Sequence, residues 1–147
     1  MAPDPAGSRW DETTTLHGHR EEIEALQASV IDRLEREGWD QEARFALRLV
    51  LEESLVNAHV HGNRRDLARS ITASWSLSPD RIIVEVEDEG GGFDPSCVPD
   101  PTEEHNLEIP SGRGLVLIRA YMDEVSHNDR GNRVTMVRHR HRGPAAS

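Results

Sequence analysis

A chain of 147 residues with 35% hydrophobic side chains can bury one core, and no apolar run approaches the roughly 20 residues of a membrane-spanning helix. A formal net charge of −10 argues against nucleic acid as the main ligand. All 17 basic residues are arginine, which excludes a G-x-x-x-x-G-K-[ST] phosphate loop, because that loop places a lysine on the phosphates.

The chain begins with residues 1–8, rich in proline and alanine, which are expected to be disordered; residues 143–147 read the same way. The span between them, 9–142, is expected to form one domain. Its first element is a short edge strand ending at Leu16, carrying Thr13, Thr14 and Thr15. Ile23, Leu26, Val30, Ile31 and Leu34 recur at helical spacing and predict a helix over 19–37, stopped by Gly38. Asp40 is placed to cap a second helix running to His61, with Gly62 as its stop. Apolar residues surround that helix, Phe45, Leu49 and Val60 among them, so it is expected to be deeply buried.

A β half follows. Residues 71–77 and 81–87 alternate apolar and polar around a turn at Ser78-Pro79-Asp80, which predicts a half-buried hairpin. Residues 90–111 form a loop with Pro95, Pro99, Pro101 and Pro110, and a loop of that length inside a domain tends to be functional. A short helix over 115–122 and a hairpin of 124–127 with 132–138 complete the chain. The expected fold class is α+β: a two-layer sandwich of a mixed, mostly antiparallel sheet with helices on one face.

Three blocks carry candidate chemistry. Glu53 and Asn57 stand four residues apart and share a helix face, where a carboxylate can take a proton and an amide oxygen can ligate Mg²⁺. The same spacing also fits an ordinary solvated helix face. Glu52, about 100° around the helix, reads as a solvated or structural acid. Asp88 ends a strand, where its carboxylate can accept a hydrogen bond from the exocyclic amine of adenine; a turn aspartate before glycines is the plainer reading. Gly90 and Gly92 let a base or phosphate approach the backbone closely, or serve only as a hinge. Gly112-Arg113-Gly114 opens a helix, where free N–H groups and a guanidinium suit phosphate. His59 and His61, two apart on a helix, splay away from each other, whereas His139 and His141, two apart on a strand or tail, could share a face; neither pair is expected to hold a metal. The single Cys97 excludes an internal disulfide and fits a cytoplasmic protein.

Together the blocks resemble the GHKL ATPase superfamily, and within it the anti-sigma-factor serine/threonine kinases. The resemblance covers about residues 16–140. It is carried by Glu53-Ser-Leu-Val-Asn57-Ala-His-Val-His61-Gly62, by Asp88-Glu-Gly90-Gly-Gly92-Phe-Asp94-Pro95, and by Gly112-Arg-Gly114-Leu followed by Met122-Asp-Glu-Val125. It implies the Bergerat ATP-binding fold, with the loop 92–112 as an ATP lid. Asn57 is implied as the Mg²⁺ ligand, Asp88 as the partner of the adenine amine, and Glu53 as general base. The implied protein substrate is a STAS-domain antagonist, a sigma factor is the other partner, and homodimers are common. The lid departs from the pattern in being acidic, with Asp100, Glu103, Glu104 and Glu108 against the single cation Arg113. A non-catalytic, ATP-dependent binding switch is the alternative function.

Overall fold

Period-two alternation and helical spacing resolve into five strands and three helices in the computed structural model, which describes residues 10–90 and 111–141. Strand β1 (Glu12–Leu16) leads into α1 (Arg20–Arg36) and α2 (Gln41–Asn57). A π-helical turn, Ala58–Gly62, extends α2 before β2 (Ile71–Leu77) and β3 (Arg81–Asp88). Helix α3 (Ser111–Tyr121) then precedes β4 (Glu124–His127) and β5 (Arg133–His139). The end segments expected to be disordered lie outside the described residues, as do residues 91–110 of the long loop, with Gly92 and Cys97.

The sheet order is β1-β2-β3-β5-β4, and every neighbouring pair is antiparallel. The expected mixed character is therefore corrected. Helices α1 and α2 form an antiparallel pair, held by contacts such as Gln27 Nε2 to the Arg48 carbonyl (2.9 Å) and Arg20 to Glu52 (2.7 Å). Two helices in sequence return the chain to the end of the sheet where β1 finished, so β2 must run back against it.

One sheet face meets the helices. Leu16, Ile71, Ala73, Val84, Val86 and Met136 are buried there against Val30 and Leu34 of α1, Leu47, Val50 and Leu51 of α2, and Ile118 of α3. Residues of the opposite phase, such as Thr13, Ser74, Glu85 and Thr135, pair among themselves on the other face: Thr13 with Ser74, Thr135 with Glu85. Asp40 caps α2 as its position predicts, its Oδ1 accepting the Ala43 N–H at 2.8 Å.

Three expectations need correction. Helix α2 is not buried all round: Phe45 is 54% exposed, while Leu49 and Val60 are only partly covered. Among the described residues only α1 and α3 flank α2 in its layer, which leaves its outer side uncovered by them. Its regular helix stops at Asn57, and the turn to Gly62 is wider by one residue. Helix α3 begins at Ser111, so Gly112, Arg113 and Gly114 form its first turn and do not precede it. No helix among the described residues is long and apolar enough to cross a membrane.

Candidate active site

The end of α2 holds the first two site residues. Leu51, Ser54, Leu55 and Ala58 are buried and fix the rotation of the helix, which leaves Glu53 and Asn57 together on a half-buried flank. Neither side chain takes a hydrogen-bond or ion-pair partner among the described residues. Glu52, one step around, points instead to α1. There Arg20 grips both its oxygens and holds its carboxyl below the usual range. The structural role expected for Glu52 is the one it has.

Beyond Asn57 the π turn closes with the Asn63 N–H on the Ala58 carbonyl, 2.8 Å away. The chain then reverses through Arg64 and Arg65, both in left-handed backbone (φ 55° and 61°), before entering β2. Such a conformation costs an L-residue about 1–2 kcal/mol. Single-turn π insertions and local strain both concentrate at functional sites.

Strand β3 brings in the second block. Asp88 pairs with Ile71 and shares the phase of Ile82, Val84 and Val86, so its side chain turns toward the helix layer. There it abuts the end of the π turn. A Cβ on Gly62 would stand 2.7 Å from Asp88 Oδ1 and closer still to Oδ2. A Cβ on Gly90 would stand 2.6 Å from the Gly62 carbonyl carbon. A side chain at Gly90 would therefore displace backbone, and one at Gly62 would displace the Asp88 carboxylate. Two motifs far apart in sequence thus meet at one corner, with Asp88 against the turn that follows Glu53 and Asn57.

The carboxylate is partly engaged. Its Oδ1 accepts the Gly90 N–H at 2.8 Å, which leaves Oδ2 without a hydrogen-bond donor among the described residues. Burial pushes the Asp88 carboxyl above its ordinary value. The Gly90 N–H opposes that shift, Glu87 adds to it, and Arg130 and Arg69 oppose it.

Residues that the sequence did not single out surround this acid. Asn63 Oδ1 accepts the Glu89 N–H (2.8 Å), and its Nδ2 donates to the Ser70 carbonyl (3.0 Å). Asn132 exchanges bonds with Asp88: its carbonyl accepts the Asp88 N–H (2.9 Å) and its Nδ2 donates to the Asp88 carbonyl (3.0 Å). Arg130 Nη2 donates to the Gly90 carbonyl at 3.3 Å. Only their place beside Gly62 and Gly131, at the ends of elements, marks these asparagines in the sequence. Gly92 lies outside the described residues. Gly112, Arg113 and Gly114 begin α3, which packs on α2.

The corner fits a purine nucleotide. It offers a half-buried carboxylate, glycine backbone at Gly62 and Gly90, and two oxygen-bearing side chains on the adjoining helix; one carboxylate oxygen and both of those side chains take no partner among the described residues.

Comparison with known proteins gives the family. The model of the histidine kinase-like ATPase domain matches residues 18–138. The serine-protein kinase RsbW of Oceanobacillus iheyensis is 28% identical over 64% of this chain and 63% of its own length. The anti-sigma F factor of Clostridium perfringens is 28% identical over 61% of this chain and 68% of its own. The RsbW of Listeria monocytogenes is 28% identical over 71% of each. The chain thus spans between 63% and 71% of the length of these relatives. With the all-antiparallel sheet, the helix layer and the glycine-lined acidic corner in place, the chain belongs to the histidine kinase-like ATPase domain family.

Proposed function

We propose that this protein is an ATP-dependent serine/threonine protein kinase that phosphorylates a STAS-domain antagonist in a partner-switching module. The observation that carries the reading is the corner itself: the Asp88 carboxylate lies against Gly62, at the end of the helix bearing Glu53 and Asn57. The names of the relatives, serine-protein kinase and anti-sigma F factor, support a serine-bearing protein substrate and a sigma factor as second partner, and the STAS-domain antagonist follows from the family resemblance. A cytoplasmic homodimer is the form this reading implies.

Bound Mg·ATP supplies the phosphoryl group. Asp88 accepts the exocyclic amine of the base through its free oxygen. Gly90 leaves the backbone open beside it, and Gly92 is proposed as a further binding residue. Asn57 offers its amide oxygen to Mg²⁺, a hard cation that prefers oxygen ligands. Gly112, Arg113 and Gly114 lie in the first turn of α3, whose backbone N–H groups suit phosphate, and Arg113 is proposed to add its charge. Glu53 takes the proton from the acceptor hydroxyl and orients it, a role worth about 10²–10⁴ in rate.

A non-catalytic switch would need Asp88 and Asn57 but no base. Glu53, free of partners among the described residues and one helical turn from Asn57, favours the kinase. Calorimetric titration with ATP tests the binding half. Wild type is expected to bind more tightly with Mg²⁺ than with EDTA, and Asn57→Ala to bind equally in both. A Mg²⁺ effect that survives in Asn57→Ala would remove Asn57 from the metal.

A further inference from the structure

The backbone on both sides of Asp88 is held by two buried asparagines that no catalytic role requires. Asn63 is 1% exposed and Asn132 is 6% exposed. Burying a primary amide is unfavourable unless its groups are hydrogen-bonded, and both residues meet that condition. Asn63 uses one side chain to satisfy a donor and an acceptor at once: the Glu89 N–H on β3's exit and the Ser70 carbonyl at β2's entry. Among short side chains only an amide offers both; aspartate has no donor when ionised. Asn132 takes both backbone groups of Asp88 and is itself aimed by Asn128. That residue donates from Nδ2 to Asn132 Oδ1 (2.7 Å) and accepts the Asn132 N–H (3.1 Å).

The consequence is geometric. The N–H and C=O of Asp88, the N–H of Glu89 and the carbonyl of Gly90 are all engaged, and Oδ1 is tied to the Gly90 N–H. Neither peptide plane beside Asp88 can rotate without breaking a bond to an asparagine. The direction of Oδ2 is therefore set from outside the acid. A hydrogen bond to a charged acceptor discriminates between bases only if the acceptor cannot turn to suit the wrong one.

We propose that Asn63 and Asn132 are positioning residues that clamp the backbone around Asp88 and so determine selectivity for a base carrying an exocyclic amine. The inference rests on the reading that Asp88 receives that amine. Its test compares binding of Mg·ATP and Mg·ITP, the latter carrying an oxygen where adenine has the amine. Titrations are run on folded protein, below each variant's melting temperature.

Wild type is expected to prefer ATP by roughly 10- to 100-fold, the range of one hydrogen bond to a charged group. Asn63→Ala and Asn132→Ala are expected to shrink that preference at least about fivefold, as Oδ2 loses its fixed direction. Purely structural asparagines would lower the melting temperature and leave the ATP-to-ITP ratio at the wild-type value, and that result overturns the proposal. If an alanine variant does not fold, Asn128→Ala, which frees the aim of Asn132 together with the Arg133 N–H, carries the test: a narrowed ratio supports the clamp and a wild-type ratio overturns it. Asp88→Asn separates the two levels. If it leaves the ratio intact, the base reading of Asp88 and the clamp both fall. If it abolishes the preference while the asparagine variants keep it, the site reading stands and the clamp alone is wrong.

Discussion

Asp88 sets function against stability at a single side chain. Burial raises its carboxyl above the ordinary value of 3.8, so folding disfavours its charged form. A raised carboxyl gives stability that is complete below the unfolded value and is lost as pH rises through the folded one. At neutral pH the wild type therefore carries a penalty that an amide would not. Asp88→Asn is predicted to raise the melting temperature at neutral pH, with the gain shrinking toward about pH 4, where the unfolded acid itself protonates. Mg·ATP affinity should fall about 10- to 100-fold in the same variant. Calorimetry at the two pH values, with a titration at the higher, reads both effects; an unchanged melting temperature at neutral pH would contradict the desolvation account. Glu53 belongs at the same scale. It is half-buried and free of partners among the described residues, so Glu53→Ala should bind Mg·ATP within about twofold of wild type while losing most transfer activity.

At the scale of elements, α2 is the beam on which the site is mounted. Its buried residues lock its rotation, and its outward side does little for stability. Leu51→Ala, at a fully buried position, should cost about 2–5 kcal/mol, whereas Phe45→Ala, more than half exposed, should cost under about 1 kcal/mol. Urea unfolding of the two variants checks the contrast, and equal losses would mean that the outer face is core after all. Gly90→Ala forces a Cβ onto the Gly62 carbonyl and should cost about 1–3 kcal/mol while weakening nucleotide binding. Much of this was legible in the sequence because it is periodic: the alternation in β2 and β3, the Asp40 cap and the helical spacing of α1 and α2 are local signals. Phe45 misled because a hydrophobic side chain shows its chemistry and not which neighbours exist to cover it. The π turn has no residue signature, since one extra residue per turn is set by what the turn packs against. The asparagine bracket was invisible for a related reason. Asn63 meets Glu89 across 26 residues and Asn132 meets Asp88 across 44, and no local pattern encodes such contacts.

At the scale of the molecule, the fold joins two antiparallel halves so that the end of a helix and the end of a strand meet over backbone that only glycine permits. In the proposed reading that meeting point, and not net charge or a lysine-bearing loop, equips an arginine-only, acidic chain for nucleotide chemistry. In the proposed function this corner moves phosphate to a protein hydroxyl. The most direct test follows γ-labelled phosphate from Mg·ATP to STAS-domain proteins encoded in the same genome, using wild type and Glu53→Ala side by side. The account predicts label on a serine or threonine of one such protein, absent with Glu53→Ala although that variant still binds Mg·ATP. Equal labelling by both would contradict the base assignment, and no labelling by a wild type that binds Mg·ATP would contradict the kinase itself in favour of a nucleotide-gated binding switch.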